Sequence, residues 1–239
     1  MTERRPDVDL DGHVRCVWRA DVGGEPRTLV PDACLDLLWV DDGGLWLCGP
    51  DTSSWEFTYP SGTTAVGLRF RPAAAAPVLR LDTSELRNTR IRVDELWGDR
   101  SARELSERLG EARGPHERVA VLSAAVRERV SDAPPVDPVA AEVLARLSQV
   151  RPDPVRLLAR EVGMSERQLN RRTTAAFGYG PAVLARILRV QRFLAIARSA
   201  GRPTGLAELA LAAGYFDQPH LARDVRDIAG TTPRALLAS

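Results

Sequence analysis

The sequence contains no lysine, so all 33 of its basic residues are arginines. Arginine forks suit guanine edges and phosphates, although alanine and arginine abound along the whole chain, as is typical of GC-rich coding. Cysteine is scarce too, with three residues in 239. An odd number of widely spaced cysteines argues against a disulfide framework and favours a reducing cytoplasm.

Long apolar runs are also missing. No stretch approaches the roughly 18 residues that a membrane span needs. The first seven residues, Met-Thr-Glu-Arg-Arg-Pro-Asp, lack the apolar stretch of a secretory signal. We therefore expect a cytoplasmic protein without membrane contact.

Motifs that carry catalysis are absent as well. The chain has no Gly-rich phosphate loop, no His-Glu-x-x-His and no Gly-x-Ser-x-Gly. His13 and the cysteines Cys16, Cys34 and Cys48 include no Cys-x-x-Cys pair of the kind that zinc sites use, so burial in a core is favoured over metal binding or oxidation sensing. We expect no enzyme, no catalytic residue, no metal and no cofactor.

Charge is divided unevenly along the chain. Residues 136–239 carry 15 arginines against 9 acidic residues, a net charge of +6, whereas residues 1–135 carry 18 against 23, a net charge of −5. A basic half joined to an acidic half suggests a nucleic-acid partner for the basic half alone.

A pattern of six residues occurs twice in the last hundred positions. The first copy has Ala159, Gly163, Leu169, Arg171, Gly178 and Pro181, and the second has Ala210, Gly214, Leu221, Arg223, Gly230 and Pro233. All spacings agree except the step from glycine to leucine, which is six residues in the first copy and seven in the second. One turn therefore contains an insertion.

Each copy predicts a helix–turn–helix unit, at about 154–178 and 206–230. Apolar spacing predicts a first helix that ends at Gly163 or Gly214, and Ser165 or Asp217 then caps a second helix. Apolar residues along 183–199 predict a connecting helix of roughly 26 Å. That length could hold two recognition helices about one DNA turn apart.

Residues from about 137 to 239 resemble the C-terminal DNA-binding domain of the AraC/XylS family of bacterial transcription regulators. The segment 164–172 is similar to the first recognition helix of that family, and 213–223 followed by 229–233 is similar to its C-terminal signature. The family usually has an aromatic residue two positions after the Leu-x-Arg arginine, where this chain has Thr173 and Val225. The change affects core positions more than DNA contact.

Helix position and this resemblance together predict the DNA-binding residues. Arg167, Arg171 and their neighbours recur at spacings of three and four, opposite Leu169 and Phe177. His220 could touch phosphate or base, or simply cover its helix. The expected set is Ser165, Arg167, Gln168, Asn170, Arg171 and Thr174 in the first unit and Asp217, Gln218, His220 and Arg223 in the second.

The first 131 residues predict an α+β domain in which a small, mainly antiparallel sheet is followed by helices. Short runs rich in Val, Leu, Trp and Phe predict strands at 14–20, 34–40, 45–48, 55–59 and 65–70, and amphipathic patterns predict helices at 101–111 and 116–130. Three prolines mark 132–138 as a linker to an all-α domain at 139–239. Segments 31–37 and 67–72 resemble the small N-terminal domain of one AraC-type subgroup.

Four of the five tryptophans lie in the first 55 residues: Trp18, Trp39, Trp46 and Trp55. Their rings could line a pocket for a planar or cationic effector. The alternative, which we favour, is that a small sheet domain uses them to build its core.

These observations predict a bacterial transcription regulator that binds double-stranded DNA. Its N-terminal domain would bind a small-molecule effector or form a homodimer, and RNA polymerase would be a further partner if the protein activates transcription. Two alternatives remain at this point: an enzyme domain fused to a DNA-reading domain, and a structural DNA-binding protein without a regulatory role.

Overall fold

A computed structural model describes residues 2–21, 24–41, 43–150, 154–199 and 205–238. Within these ranges, no helix combines the length and the apolar character that crossing a bilayer requires. The chain forms an N-terminal domain, built from strands and the helices that follow them, and a C-terminal domain built from helices.

A six-stranded antiparallel sheet forms the centre of the N-terminal domain, with strand order β1-β2-β7-β4-β5-β8. Its strands are β1 (Thr2–Arg4), β2 (Val14–Asp21), β4 (Asp36–Val40), β5 (Gly44–Cys48), β7 (Thr64–Phe70) and β8 (Arg90–Arg92). A separate two-stranded ribbon pairs β3 (Arg27–Leu29) with β6 (Trp55–Phe57). The predicted antiparallel sheet is confirmed.

Within the described ranges, four α-helices and one 3₁₀ helix complete this domain. They are α1 (Ala75–Leu79), the 3₁₀ helix Thr83–Leu86, α2 (Val93–Trp97), α3 (Asp99–Glu111) and α4 (Pro115–Ser131). Leu109, Leu122 and Val126 of these helices are buried in the same core as Leu37 and Leu68 of the sheet. The helices therefore cover one face of the sheet.

Alternation along β4 shows how its residues divide between the two faces. Leu37 and Trp39 belong to the helix-covered core, whereas Leu38 and Val40 belong to a smaller apolar cluster on the opposite face, with Phe57 of the ribbon. Successive side chains of a strand point to opposite faces, so this pattern is the one expected for a sheet that is packed on both sides.

The C-terminal domain consists of seven helices within the described ranges. They are α5 (Pro138–Leu147), α6 (Pro154–Glu161), α7 (Glu166–Phe177), α8 (Pro181–Ser199), α9 (Leu206–Ala212), α10 (Gln218–Ala229) and α11 (Pro233–Ala238). Helices α6 and α7 form the first helix–turn–helix unit, α9 and α10 form the second, and α8 joins them. The predicted all-α domain with two units and a linker helix is confirmed.

Arginines of α8 hold the second unit in place from inside the domain. Asp224 of α10 is only 4% exposed. It accepts a hydrogen bond from Nε of Arg186 at 2.8 Å and one from Nη2 of Arg189 at 3.3 Å. Arg192 donates to the carbonyls of Ala213 at 3.0 Å and Ser148 at 2.7 Å. These three guanidinium groups therefore stabilise helix packing.

The N-terminal domain docks on the end of α7. Thr83 is fully buried, and its hydroxyl donates to the carbonyl of Ala175 at 2.8 Å. Helix α7 ends at Gly178, whose φ of 81° is left-handed. A methyl group at Gly178 would overlap the ring of Pro50, so the two domains touch here without room for a side chain.

The loop that contains Pro50 also contacts the end of α10. In this docking loop (residues 50–54, between β5 and β6), the amide of Ser54 donates to the carbonyl of Ile228 at 2.6 Å. A third contact lies on α8, where the side chain of Gln191 donates to the carbonyl of Pro31 at 2.7 Å. The N-terminal domain thus contacts α7, α8 and α10 at once.

Removal of the Asp224 carboxylate tests how α10 is anchored. We expect Asp224→Ala to lower the free energy of unfolding by about 2–3 kcal/mol, because the variant takes the buried carboxylate away from Arg189 and leaves Arg186 with Asp227 alone. Urea unfolding followed by circular dichroism measures the change.

Asp227→Ala is the matched control, because Asp227 pairs with the same Arg186 at 2.5 Å but has a side chain that is 59% exposed. Solvent-exposed ion pairs contribute less than about 1 kcal/mol. Equal losses in the two variants would contradict a special role for the buried carboxylate.

Candidate nucleic-acid interface

The turns of the two units share one backbone geometry. The turn glycines Gly163 and Gly214 have φ angles of 66° and 87°, which glycine adopts without the steric cost that other residues bear. In both units, the amide that follows the glycine donates to the carbonyl of the small residue Ala159 or Ala210 at 2.9 Å. Both alanines are buried, so the paired helices approach closely at the same point of each unit.

The start of α7 is stabilised by a complete capping box. The hydroxyl of Ser165 accepts from the amide of Gln168 at 3.2 Å, and the side-chain oxygen of Gln168 accepts from the amide of Ser165 at 3.0 Å. Two predicted DNA-binding residues are therefore engaged in satisfying the helix terminus.

The start of α10 is capped by Asp217. Its carboxylate accepts from the amide of His220 at 2.7 Å. The ring of His220 packs edge-on against that of Tyr215, with centroids 5.1 Å apart. Asp217 holds the helix start, and the half-buried His220 lies beside it.

The exposed face of α7 carries the remaining predicted residues of the first unit. Arg167, Asn170 and Arg171 are exposed and Thr174 is half-buried. Among the described residues, the side chains of Arg167 and Arg171 have no hydrogen-bonding or ion-pair partner. An open pocket of about 340 Å³ adjoins this face and is lined by Glu166, Arg167, Leu169, Asn170, Pro181 and Ala182.

The exposed face of α10 matches that of α7. Gln218 and Arg223 are exposed, and Arg223 makes one long hydrogen bond, from Nε to the carbonyl of Pro219 at 3.4 Å. Leu221 and Val225 are buried on the opposite side, as are Leu169 and Thr173 in the first unit. Arginines at equivalent positions of the two units therefore both face solvent.

Two further exposed residues lie next to this face and are absent from the sequence-based set. Arg226 follows Arg223 by three residues, one helical step along the same helix. Phe216 immediately precedes the cap Asp217. The helical spacing could have identified Arg226, and the insertion in the second turn could have identified Phe216.

The tryptophans do not gather around one cavity. Trp18 donates from Nε1 to Asp36 at 3.0 Å, and a side chain at Gly67 would collide with its ring. Trp39 instead packs with the helix-covered core. Because Trp18 and Trp39 belong to opposite faces of the sheet, no single pocket is lined by all four indoles.

The other two indoles make cation–π contacts. The guanidinium of Arg90 lies 4.2 Å from the ring centroid of Trp55, and that of Arg92 lies 5.6 Å from the ring centroid of Trp46. An open pocket of about 340 Å³ lies nearby, with no indole in its wall; Leu45, Arg92, Asp94, Ala102, Arg103 and Ser106 line it. Effector binding by the four tryptophans stays a prediction.

The three cysteines are unpaired, and all are at least half-buried. Burial raises the pKa of Cys16 to about 11 and that of Cys48 to about 12. Both thiols are therefore protonated near neutral pH. Among the described residues, no three His, Cys, Asp or Glu side chains converge as a metal site would require.

Two protein families match this chain. Residues 158–239 match a family described as a helix-turn-helix domain, and residues 2–92 match a family described as a domain of unknown function (DUF6597). No curated protein sequence matches the chain.

Several solved structures are similar to this chain. A probable AraC family transcriptional regulator from Rhodopseudomonas palustris is 28% identical, over 42% of this chain and 91% of that one, with a TM-score of 0.35. ToxT from Vibrio cholerae is 10% identical, over 93% and 95% of the two chains, with a TM-score of 0.45. A structure of wild-type ToxT with a bound unsaturated fatty acid is 9% identical, over 92% and 93%, with a TM-score of 0.45.

The family match at residues 158–239 spans the whole duplicated motif and, apart from the first residues of α6, both helix–turn–helix units. The chain therefore carries a helix-turn-helix domain at residues 158–239, and its residues 2–92 match the DUF6597 family.

Proposed function

We propose that this protein is a sequence-specific transcription regulator in which α7 and α10 read two adjacent major-groove segments of DNA. The observation that carries the proposal is the pair of arginines Arg171 and Arg223. They occupy equivalent positions of the two units, both are exposed, and their helices bury the opposite side.

Chemistry supports distinct roles for the exposed side chains. Arg171 and Arg223 can each donate two hydrogen bonds to a guanine edge, and the amides of Asn170 and Gln218 suit adenine. Arg167 lies in the first turn of α7, where base contacts concentrate. Thr174 and His220 sit at the margins of the two faces and suit backbone contacts.

The capping residues support the same proposal in a different way. Ser165, Gln168 and Asp217 hold the N-terminal turns of α7 and α10 in helical form. Helix N-termini present free amides and a partial positive charge to phosphate. These three residues therefore act as positioning residues, which shape the start of each recognition helix rather than read bases themselves.

Alanine variants of the paired arginines test this function. In vitro selection from random duplexes with the full chain first identifies a preferred site. We expect Arg171→Ala and Arg223→Ala each to weaken binding to that site by about 1–3 kcal/mol, because each removes a bidentate base contact. Fluorescence anisotropy at one fixed salt concentration measures the affinities, since phosphate contacts make them depend on salt.

Arg108→Ala is the control, because Arg108 is an exposed arginine on α3 of the N-terminal domain. It should bind the selected duplex like the parent protein. Selection that yields no preferred sequence, or arginine variants that behave like Arg108→Ala, would refute the proposed readout.

We further propose that the N-terminal domain controls DNA binding through its contacts with the recognition helices. For this proposal we keep the division expected from the sequence, with 1–131 as the control domain, 132–138 as the linker and 139–239 as the DNA-binding domain. An effector or a second copy would act on 1–131, and RNA polymerase would be contacted at activated promoters.

The docking loop supports this coupling. Pro50 contacts the end of α7 at Gly178, and Ser54 contacts the end of α10 at Ile228. One rigid movement of the loop would displace both recognition helices. Because the loop contacts both helix ends, docked and undocked states would differ at both helices. A ligand would shift the balance between them only through different affinities for the two states.

Undocking the N-terminal domain tests the coupling. An unpaired guanidinium cannot remain buried at the site of Thr83 without a cost of several kcal/mol, so Thr83→Arg should separate the N-terminal domain from α7. Because α7 and α10 would then lose the contacts that hold their ends, we expect the affinity for the selected duplex to fall at least about threefold. The measurement is anisotropy with the full chain, alongside circular dichroism to verify folding.

Glu85→Arg is the matched control, since Glu85 is exposed on the same 3₁₀ helix and the substitution adds at least as much positive charge. It should leave the affinity unchanged or raise it slightly. If Thr83→Arg binds DNA as well as Glu85→Arg does, the recognition helices do not depend on docking.

A further inference from the structure

The two turns differ by one residue, and the backbone identifies that residue as Phe216. The amide of Met164 donates to Ala159 in the first unit just as the amide of Tyr215 donates to Ala210 in the second, each at 2.9 Å. After Met164 the next residue caps α7, whereas Phe216 stands between Tyr215 and the cap of α10. The insertion is therefore an aromatic residue placed directly before a recognition helix.

The fold makes no use of this ring. Phe216 is 86% exposed, whereas its neighbour Tyr215 is 3% exposed. A hydrophobic residue just before an N-cap commonly packs on the fourth residue of the helix, which here is Leu221. Leu221 is already fully buried without such a contact. Core packing therefore gives no reason for an aromatic side chain at this position.

We propose that Phe216 contacts the C5-methyl group of a thymine in the major groove at the start of α10. This inference rests on the proposed function, in which α10 reads DNA. Base contacts concentrate at the N-terminal end of a recognition helix, where Phe216 lies. A ring without donors or acceptors can distinguish bases only by apolar contact, and thymine alone presents a methyl group there.

The first unit has no residue equivalent to Phe216, so the proposal concerns only the DNA segment that α10 would read. Ser165 follows Met164 directly, so α7 has no equivalent of Phe216. We therefore place the thymine requirement in the DNA segment read by α10 and not in the segment read by α7. A protein partner that buries the ring instead is the competing explanation, and the experiment separates the two.

The experiment combines a protein variant with a DNA variant. With the duplex selected by the full-length parent, each thymine is replaced in turn by deoxyuridine, which lacks only the methyl group. We expect one replacement in the α10 segment to weaken parent binding by about fourfold, the contribution of one buried methyl group. Phe216→Ala should bind the unmodified duplex more weakly than the parent does, by about the same factor. Replacing the contacted thymine by deoxyuridine should then weaken the binding of Phe216→Ala no further.

Leu211→Ala is the matched control, because Leu211 is another exposed apolar residue, 61% exposed, that belongs to α9 rather than to α10 or its cap. It should retain the parent affinity and the parent response to deoxyuridine. Thermal unfolding of both variants should match the parent, since each removes an exposed side chain. Affinity for random-sequence duplex should also stay unchanged, because the contact is to a base.

Three results would overturn the inference. If Arg223→Ala weakens binding while Phe216→Ala does not, α10 reads DNA and Phe216 serves another contact. If deoxyuridine weakens Phe216→Ala as much as it weakens the parent, another residue contacts the methyl group. If the parent selects no preferred sequence at all, the proposed function fails, and the thymine contact fails with it.

Discussion

No side chain fits at Gly178, where the first recognition helix ends against the N-terminal domain. The residue ends α7 in a left-handed conformation, and it also lets Pro50 approach the backbone closely. Helix termination and domain docking therefore depend on the same position. Tyr179, the next residue, is buried in the C-terminal core, which commits the chain to its path into α8. The contact at Gly178 therefore helps to set how the N-terminal domain packs against the helix–turn–helix units.

The helices of the C-terminal domain could be predicted closely because their ends are set by local chemistry. Gly163 ends one helix and Ser165 starts the next, and each acts on its own neighbours in the chain. The role of Gln168 shows the limit of that reasoning. The structure places Gln168 in a capping box with Ser165, whereas helix position and the family resemblance place this exposed polar residue in the predicted DNA-binding set. Local sequence gives both descriptions equal weight, and only the hydrogen bonds distinguish them.

The N-terminal domain was predictable in its longer strands and not in its docking. Strands β2 and β7 run for eight and seven residues, long enough to be recognised as runs rich in Val, Leu, Trp and Phe. The short strands β1, β3 and β8 have three residues each and carry no usable period. The contact of Thr83 with Ala175 joins positions that are 92 residues apart, and no local sequence pattern at either residue predicts the other as its partner. Nearness in sequence suggests one group of tryptophans, but Trp18 and Trp39 lie on opposite faces of the sheet.

The duplicated unit also affects how such a protein can change over generations. In a symmetric dimer, one substitution alters both recognition helices together, so both halves of the binding site must change in step. Here Arg171 and Arg223 are encoded separately, and the second turn already differs from the first by Phe216. A mutation in one unit leaves the other intact. Under the proposed readout, preference at one DNA segment can therefore drift while the other segment keeps the protein on its target.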